Sequence, residues 1–409
     1  VVGNPGLGAL LRIADFRKVW GVGVLGGVVR WLEMLAFAVY VFDATNSPFL
    51  VALVSLSRMA PLAFFGAVMG ALADRVPREK IVLGGLMVLL SVTTVLAWLA
   101  HSGYLQIWHL IVGALINGCY WSTDMPARRT LLGAIAGTER TAAAMGLDAS
   151  TNSLTRALGP VTGGLLVAFT GLQGALMLGA VLYGLAILLM ISLLKQGAGQ
   201  GARQGAGKAA STVGIWRTLK EGLAYAAKDR AILGILIVTV IFNIWVFPYT
   251  SMIAVIGRDV LALGPFNVGL LMSVEGTGSF SGAMAVALWA RPSAHSRIYF
   301  YGAIFAAVCA IIFALSPLPL FSGLMLYLAG VGAGCFGSMQ ATRMLLLAPA
   351  EVRSRLMGVL AVCIGLGPLG YAHLGLMADW LGAVNAITIM GVEALVALAL
   401  AWLFWPEIR

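Results

Sequence analysis

The chain has 409 residues, 60% of them hydrophobic and only 10% charged, with a mean hydropathy of +0.96. Soluble domains run at about 45–50% apolar and about 25% charged, so a water-solvated globule is excluded. The formal net charge of +10 raises nucleic acid as a partner, but the basic residues are strung between apolar runs rather than gathered in a patch with stacking aromatics, which excludes that reading too.

A helix needs roughly 20 apolar residues to cross a hydrocarbon core of about 30 Å. Twelve such runs follow one another, near 19–42, 49–72, 80–100, 105–126, 142–169, 172–194, 230–256, 265–289, 298–316, 320–345, 356–378 and 382–404. The first holds Arg30 and Glu33 and is too long for a cleaved signal sequence. Basic residues collect on one set of connections. Arg12, Arg17 and Lys18 precede the first run; Arg75, Arg78 and Lys80 follow the second; Arg128, Arg129 and Arg140 follow the fourth. The opposite connections hold only Arg258. Both termini and the middle loop are therefore expected in the cytoplasm.

The segment from Gln196 to Thr212 is rich in Gly, Ala and Gln and reads as a flexible linker. Its Gly207-Lys208 is followed by Ala209 rather than Ser or Thr, so it is no phosphate loop. Ile215, Leu219, Leu223 and Ala226 then share one face, as in an amphipathic helix on the cytoplasmic surface. The expected organisation is a six-helix bundle over 1–194, a linker with its amphipathic helix over 195–229, and a second six-helix bundle over 230–409. Short blocks repeat between the halves in the same order. Gly118-Cys119-Tyr120 with Ser122 matches Gly334-Cys335-Phe336 with Ser338; Glu139, Met145 and Gly146 match Glu351, Met357 and Gly358; Gly159-Pro160 matches Gly367-Pro368. That order predicts two pseudo-symmetric bundles from a duplicated unit. The four cysteines lie inside apolar runs without metal or disulfide spacing and read as core fillers.

Between the second and third runs stands GALADRVPREK, where Gly70, Leu72, Asp74, Arg75 and Arg78 fit the pattern G-x-L-x-D-R-x-G-R-[KR]. On these residues the chain resembles the major facilitator superfamily, with Pro77 and Glu79 departing from the pattern. The resemblance implies that Asp74 meets a helix N-terminus and Arg128 or Arg129, locking the cytoplasmic side. In the fifth run Gly146, Thr155, Gly159, Pro160, Gly163 and Gly164 resemble the superfamily's antiporter motif, with Thr155 in place of one glycine. A mid-membrane Gly-Pro frees backbone groups and lets helices approach closely, which suits a pivot. The stretches MPARRTLLGAIAGTER and ADFRKVW further resemble bacterial exporters of the enterobactin-type siderophore and macrolide kind.

Ionisable residues within apolar runs default to function. Arg30, Glu33 and Phe37 share a helical face, and Glu33 beside Arg30 is the first choice for a coupling proton, with Asp148 and Glu275 behind it. Phe37, Arg58, Asn152 and Arg156, with the aromatics Trp121, Trp245, Tyr249 and Phe336 and the amides Asn243 and Gln340, are the expected cavity residues. His373 reads as a relay or a structural histidine, and Glu393 as structural. The reading is an all-α membrane protein, no enzyme and without cofactor or metal. It is expected to act as a monomeric alternating-access antiporter of the bacterial cytoplasmic membrane, exporting a small organic molecule against protons. An uptake symporter, a lipid flippase and a non-transporting receptor or scaffold are the alternatives.

Overall fold

The computed structural model describes residues 6–73, 77–137, 139–195, 215–349 and 352–408. The described residues are helical, without a strand, and eight helices are long and apolar enough to cross a membrane by length and composition. The expected apolar runs all fall on helix. In the first half these are α1 (Gly6–Arg12), α2 (Ala14–Thr45), α3 (Pro48–Ala73), α4 (Arg78–Ser102), α5 (Ile107–Ala136) and α6 (Thr141–Lys195). The fifth and sixth runs share α6, which turns at Gly171, where φ is +69°, a value glycine adopts without strain.

The second half holds α7 (Ile215–Ala226), α8 (Arg230–Ile241), α9 (Tyr249–Val255), α10 (Pro265–Trp289), α11 (His295–Leu315), α12 (Pro319–Leu347), α13 (Arg353–Ile364), α14 (Gly367–Leu381) and α15 (Ala383–Phe404). Asp229 caps α8, accepting from Ala231 N–H at 3.0 Å and Ile232 N–H at 3.1 Å. The seventh run is not one regular helix. π-turns at Phe242–Val246 and Ile256–Val260 flank α9, and Pro248, lacking an N–H, cannot continue the ladder to the Ile244 carbonyl, which meets Gly370 of α14 instead.

The linker 196–212 lies outside the described residues. In α7, Leu223 is exposed, and Gly222 and Ala226 turn toward the second half, where a methyl on Gly222 would stand 2.9 Å from Val359. The Arg355–Glu221 ion pair at 3.2 Å adds to that contact. Neighbouring α13 thus covers the side of the helix that carries Gly222 and Ala226, the latter on the expected apolar face.

Apolar packing divides the molecule by depth. Away from the termini one core joins both halves, with Leu35, Phe37 and Val51 in the same cluster as Met252, Ile256 and Leu374. Toward the termini each half has its own core, one around Phe16, Leu86 and Tyr183 and the other around Ile235, Tyr299 and Leu398. At the joined end Arg258 pairs with Asp43 through two bonds of 2.7 and 3.0 Å, and Ser47 donates to Asp379 at 3.1 Å. The halves are therefore fastened at one end and separately packed at the other.

Candidate functional site

The halves cross most intimately where α6 lies along α10. Pro160 removes one N–H from α6 and releases the Arg156 carbonyl. Gly276 sits beneath that carbonyl, where a methyl would stand 2.7 Å away, and the next N–H, from Val161, donates across the interface to Ser273 Oγ at 3.0 Å. The motif glycines make this approach possible. A Cβ on Gly159 would lie 2.5 Å from Trp31 Cβ, one on Gly163 2.8 Å from the Leu32 carbonyl, and one on Gly164 2.5 Å from the Pro265 carbonyl. Gly146 differs, because a side chain there would meet open space. Thr155 occupies its glycine position because Gly27 of α2 yields the room, with Thr155 Oγ1 2.8 Å from where a Cβ would be.

One ion pair spans this crossing. Arg156 donates to both oxygens of Glu275, at 2.7 and 2.8 Å, and to Ser279 Oγ at 3.3 Å. Tyr249 donates to Glu275 at 3.4 Å, and the guanidinium lies 5.3 Å from the centre of the Trp31 ring. Elements from both halves thus converge on one buried carboxylate. Both bonds come from one guanidinium nitrogen, Nη2, and are charge-assisted, which makes each roughly twice as strong as a neutral hydrogen bond.

Glu33 occupies a different setting, inside the first half. It accepts from Thr93 Oγ1 and from Asn117 Nδ2, each at 3.1 Å, and Asn117 also donates to Tyr183 at 3.3 Å. Its cation is Arg58 of α3, at 3.8 Å, and not Arg30. The two residues leave α2 in different directions. Glu33 points toward α4 and α5, while Arg30 lies over the Trp121 ring at 4.9 Å, with Asp124 as its nearby carboxylate. Phe37, expected in the cavity, is 1% exposed and packs in the core beneath Arg58.

A third set binds α5 to α6. Arg128 donates to Asp124 at 3.2 Å and to Asp148, Arg129 donates to Asp148 at 2.9 Å, and Tyr120 donates to Asp124 at 3.0 Å. Asp148 is therefore held by the two arginines that the sequence assigned to Asp74. Asp74 and Arg75 lie outside the described residues; Gly70 ends near the close of α3, and Arg78 opens α4 half-buried. Asp124 escaped sequence reasoning, although its position within the fourth apolar run was the signal that marks an intramembrane acid.

In the second half several expected cavity residues are internal packing. Phe336 is stacked between Phe242 at 3.9 Å and Tyr299 at 4.8 Å. Gln340 donates to Thr239 Oγ1 at 3.1 Å, and Asn243 donates to the Thr239 carbonyl at 2.8 Å, both within that half. Side chains of this size and polarity on an inward face find partners in their own bundle first. Trp245 and Tyr249 border a small void with Leu374 and Met390. Asn152 is half-buried one turn before Arg156. His373 meets Glu393 at 3.1 Å between α14 and α15, away from the crossing.

The family model for transmembrane secretion effectors matches residues 7–406. The MFS-type transporter YfiS of Bacillus subtilis is 24% identical over 375 residues, covering 88% of this chain and 86% of that protein. Macrolide efflux protein A of Streptococcus pyogenes is 20% identical over 67% of this chain and 66% of its own length. The staphyloferrin A transporter of Staphylococcus aureus is 18% identical, with 90% of each chain covered. Among solved structures, the nucleoside transporter NupG superposes with a TM-score of 0.70 at 15% identity, over 95% of this chain and 98% of that one. A POT family transporter in complex with 5-aminolevulinic acid gives 0.71 at 15% identity, over 98% of this chain and 96% of that one.

Proposed function

From the premise that this chain belongs to the transmembrane secretion effector family, and so is a multi-pass secondary transporter of the major facilitator superfamily, we propose that it exports a small organic molecule from the cytoplasm in exchange for protons. The observation that carries this reading is the ion pair between Arg156 and Glu275, which ties together two halves that are fastened at one end and separate at the other. Loop charge assigns the separate end to the cytoplasm, so this state accepts substrate from inside a bacterial cytoplasmic membrane. The working unit is a monomer of two six-helix bundles.

Protonating Glu275 removes its charge and weakens both bonds to Arg156. Hydrogen bonds to charged groups contribute roughly 1.5–3 kcal/mol each, so neutralising one partner shifts a two-state balance by about a hundredfold or more. The pair is formed in this inward-open state, so a proton carried in from outside on Glu275 must leave to the cytoplasm before Arg156 can bind both its oxygens and hold that state. Glu33, expected first for this task, sits within one half, where its proton would not touch the moving boundary. Asp148 is engaged by two arginines and acts as a strut between α5 and α6. Asp74 keeps its assignment as the cytoplasmic lock, in the outward-facing state, when that side closes.

The test is flux in inside-out vesicles energised acid-inside. Export predicts accumulation of substrate that a protonophore collapses. Uptake by right-side-out vesicles on an inward proton gradient establishes a symporter instead, and movement of lipid alone a flippase.

A further inference from the structure

The charges at the central crossing are matched, but the hydrogen-bond donors are not. Arg58 faces Glu33, and Arg156 is bound to Glu275. Both carboxylates are already engaged as acceptors, Glu33 by Thr93 and Asn117, Glu275 by Arg156 and Tyr249. Three buried nitrogens nonetheless have no hydrogen-bond partner: Trp31 Nε1, Arg58 Nη2 and Arg156 Nε. Arg58 is only 3% exposed. Indole and guanidinium nitrogens donate and do not accept, so the unused capacity here is wholly donor.

These groups surround one place. Arg58 borders a void with Met34, Met59 and Tyr371, and Trp31 and Arg156 border a second void with the same two methionines. Met34 and Met59 line both voids, and methionine side chains are unbranched and repack readily, so their rotation would join the two into one cavity between the halves. Its remaining lining is mostly apolar, including Phe247, Ile253 and Met272, with the hydroxyls of Ser55 and Thr250 and the engaged Glu275 carboxylate among them. Arg30, on the approach from the terminal side, adds a positive charge whose nearby carboxylate, Asp124, is already bound by Arg128 and Tyr120.

We infer that this cavity recognises an uncharged amphipathic molecule rich in carbonyl or ether oxygens, whose acceptors meet Trp31, Arg58 and Arg156 while its apolar body lies against Met34, Met59 and Phe247. The inference rests on the reading of this crossing as the substrate site. A cation would find both carboxylates already engaged, only hydroxyl oxygens to accept from it, and the charge of Arg30 on its way in. A carboxylate on Arg156 would compete with Glu275 and favour its protonation, so substrate and proton would bind together rather than in exchange.

The test is equilibrium binding by calorimetry to the purified full chain, with no gradient, using three probes on one skeleton. They are the ethyl ester of coumarin carboxylic acid, the free carboxylate, and an aminomethyl coumarin cation. The ester is expected to bind about tenfold more tightly than either charged probe. Trp31→Phe, which keeps the ring and removes the N–H, should weaken the ester about fivefold, the worth of one hydrogen bond of about 1 kcal/mol. Trp289→Phe, at an exposed position near the end of α10, should leave all three affinities unchanged. Tightest binding by the carboxylate or the cation overturns the inference, as does equal or absent binding of all three, which would mean that the donors are hydrated and recognise nothing. Because no flux is measured, failure of proton-driven export leaves this result standing, and failure here leaves the export test standing.

Discussion

The two halves touch along two crossings that are counterparts in the repeat, α6 on α10 and α14 on α3, and the two are built from different chemistry. Both use Gly-Pro. In α6 Pro160 leaves the helix running, because the adjoining backbone finds Ser273 and Gly276 in the other half. In the second half the helix stops at Ile364 and restarts at Gly367, with Pro368 at the start of the new helix, where a missing N–H costs nothing. The first crossing is closed by a buried ion pair. The second has Gly375 against Ala52 and Phe49 and, among the described residues, a hydrogen bond at its end from Ser47 to Asp379. The two counterpart crossings thus share close glycine contacts, and among the described residues the buried ion pair lies at the first of them. In the proposed export cycle, a change of charge acts on the first crossing and the second bears the motion.

The largest effect is expected from Glu275→Gln, which keeps the shape of the polar crossing and removes its charge. Proton-driven flux should fall about a hundredfold while substrate exchange persists, because two charge-assisted bonds are replaced by weaker ones. Parallel assays of counterflow and acid-driven export check it; an unchanged pH dependence of export would move the proton elsewhere. Next, bulk added at each crossing separates their roles. Gly159→Leu would push α6 off α2 near Trp31, carrying Arg156 with it, whereas Gly375→Leu would only overpack apolar surface. Overpacking costs typically 1–3 kcal/mol. Both should slow transport, the first by about thirtyfold with loss of coupling and the second by about tenfold with coupling intact, read as protons moved per substrate.

Much of this was legible in the sequence. Apolar runs bounded by charge placed the helices, and Gly159-Pro160 announced a close, backbone-led contact. Arg156 and Glu275 stood out as ions inside apolar runs. Their pairing did not, because the partners are 119 residues apart and on different halves. Proximity along a helix misled in the opposite direction. Arg30 and Glu33 are one turn apart, yet Asn117 and Thr93 draw the carboxylate into the bundle while Trp121 takes the guanidinium. For the amphipathic helix, periodicity marks an apolar face that includes the buried Ala226, but not that α13 is the neighbour beside it.

Glu33→Gln sharpens the comparison from within one half. It leaves Arg58 buried without its counterion, so the protein should lose about 3 kcal/mol of stability. Export rate should fall only a few-fold and keep its pH dependence, because neither crossing changes. Thermal denaturation and vesicle flux measured on the same preparation separate the two effects. A variant that transports without any response to pH would return the coupling proton to Glu33.

The smallest effect belongs to the end where the halves are fastened. Arg258 is bound to both oxygens of Asp43 and also donates to the Leu263 carbonyl at 2.8 Å, so it holds α2 to the loop before α10. Both side chains are partly exposed, at 28% and 38%, and a solvent-screened pair of this kind contributes about 1 kcal/mol or less. Removing it by Arg258→Gln should therefore shift the balance toward the outward-open state by no more than about fivefold. A cysteine placed at Ser47, beside the contact with Asp379, should then react faster with a membrane-impermeant maleimide by that factor. Asp43→Asn, which leaves the bond to Leu263, should give the same acceleration or less, and the double variant no more than Arg258→Gln, because both remove the same ion pair. An acceleration that adds in the double variant would show that the two residues act through separate contacts. No acceleration in any of them would leave the joined apolar core around Met252 and Leu374 as what holds this end shut.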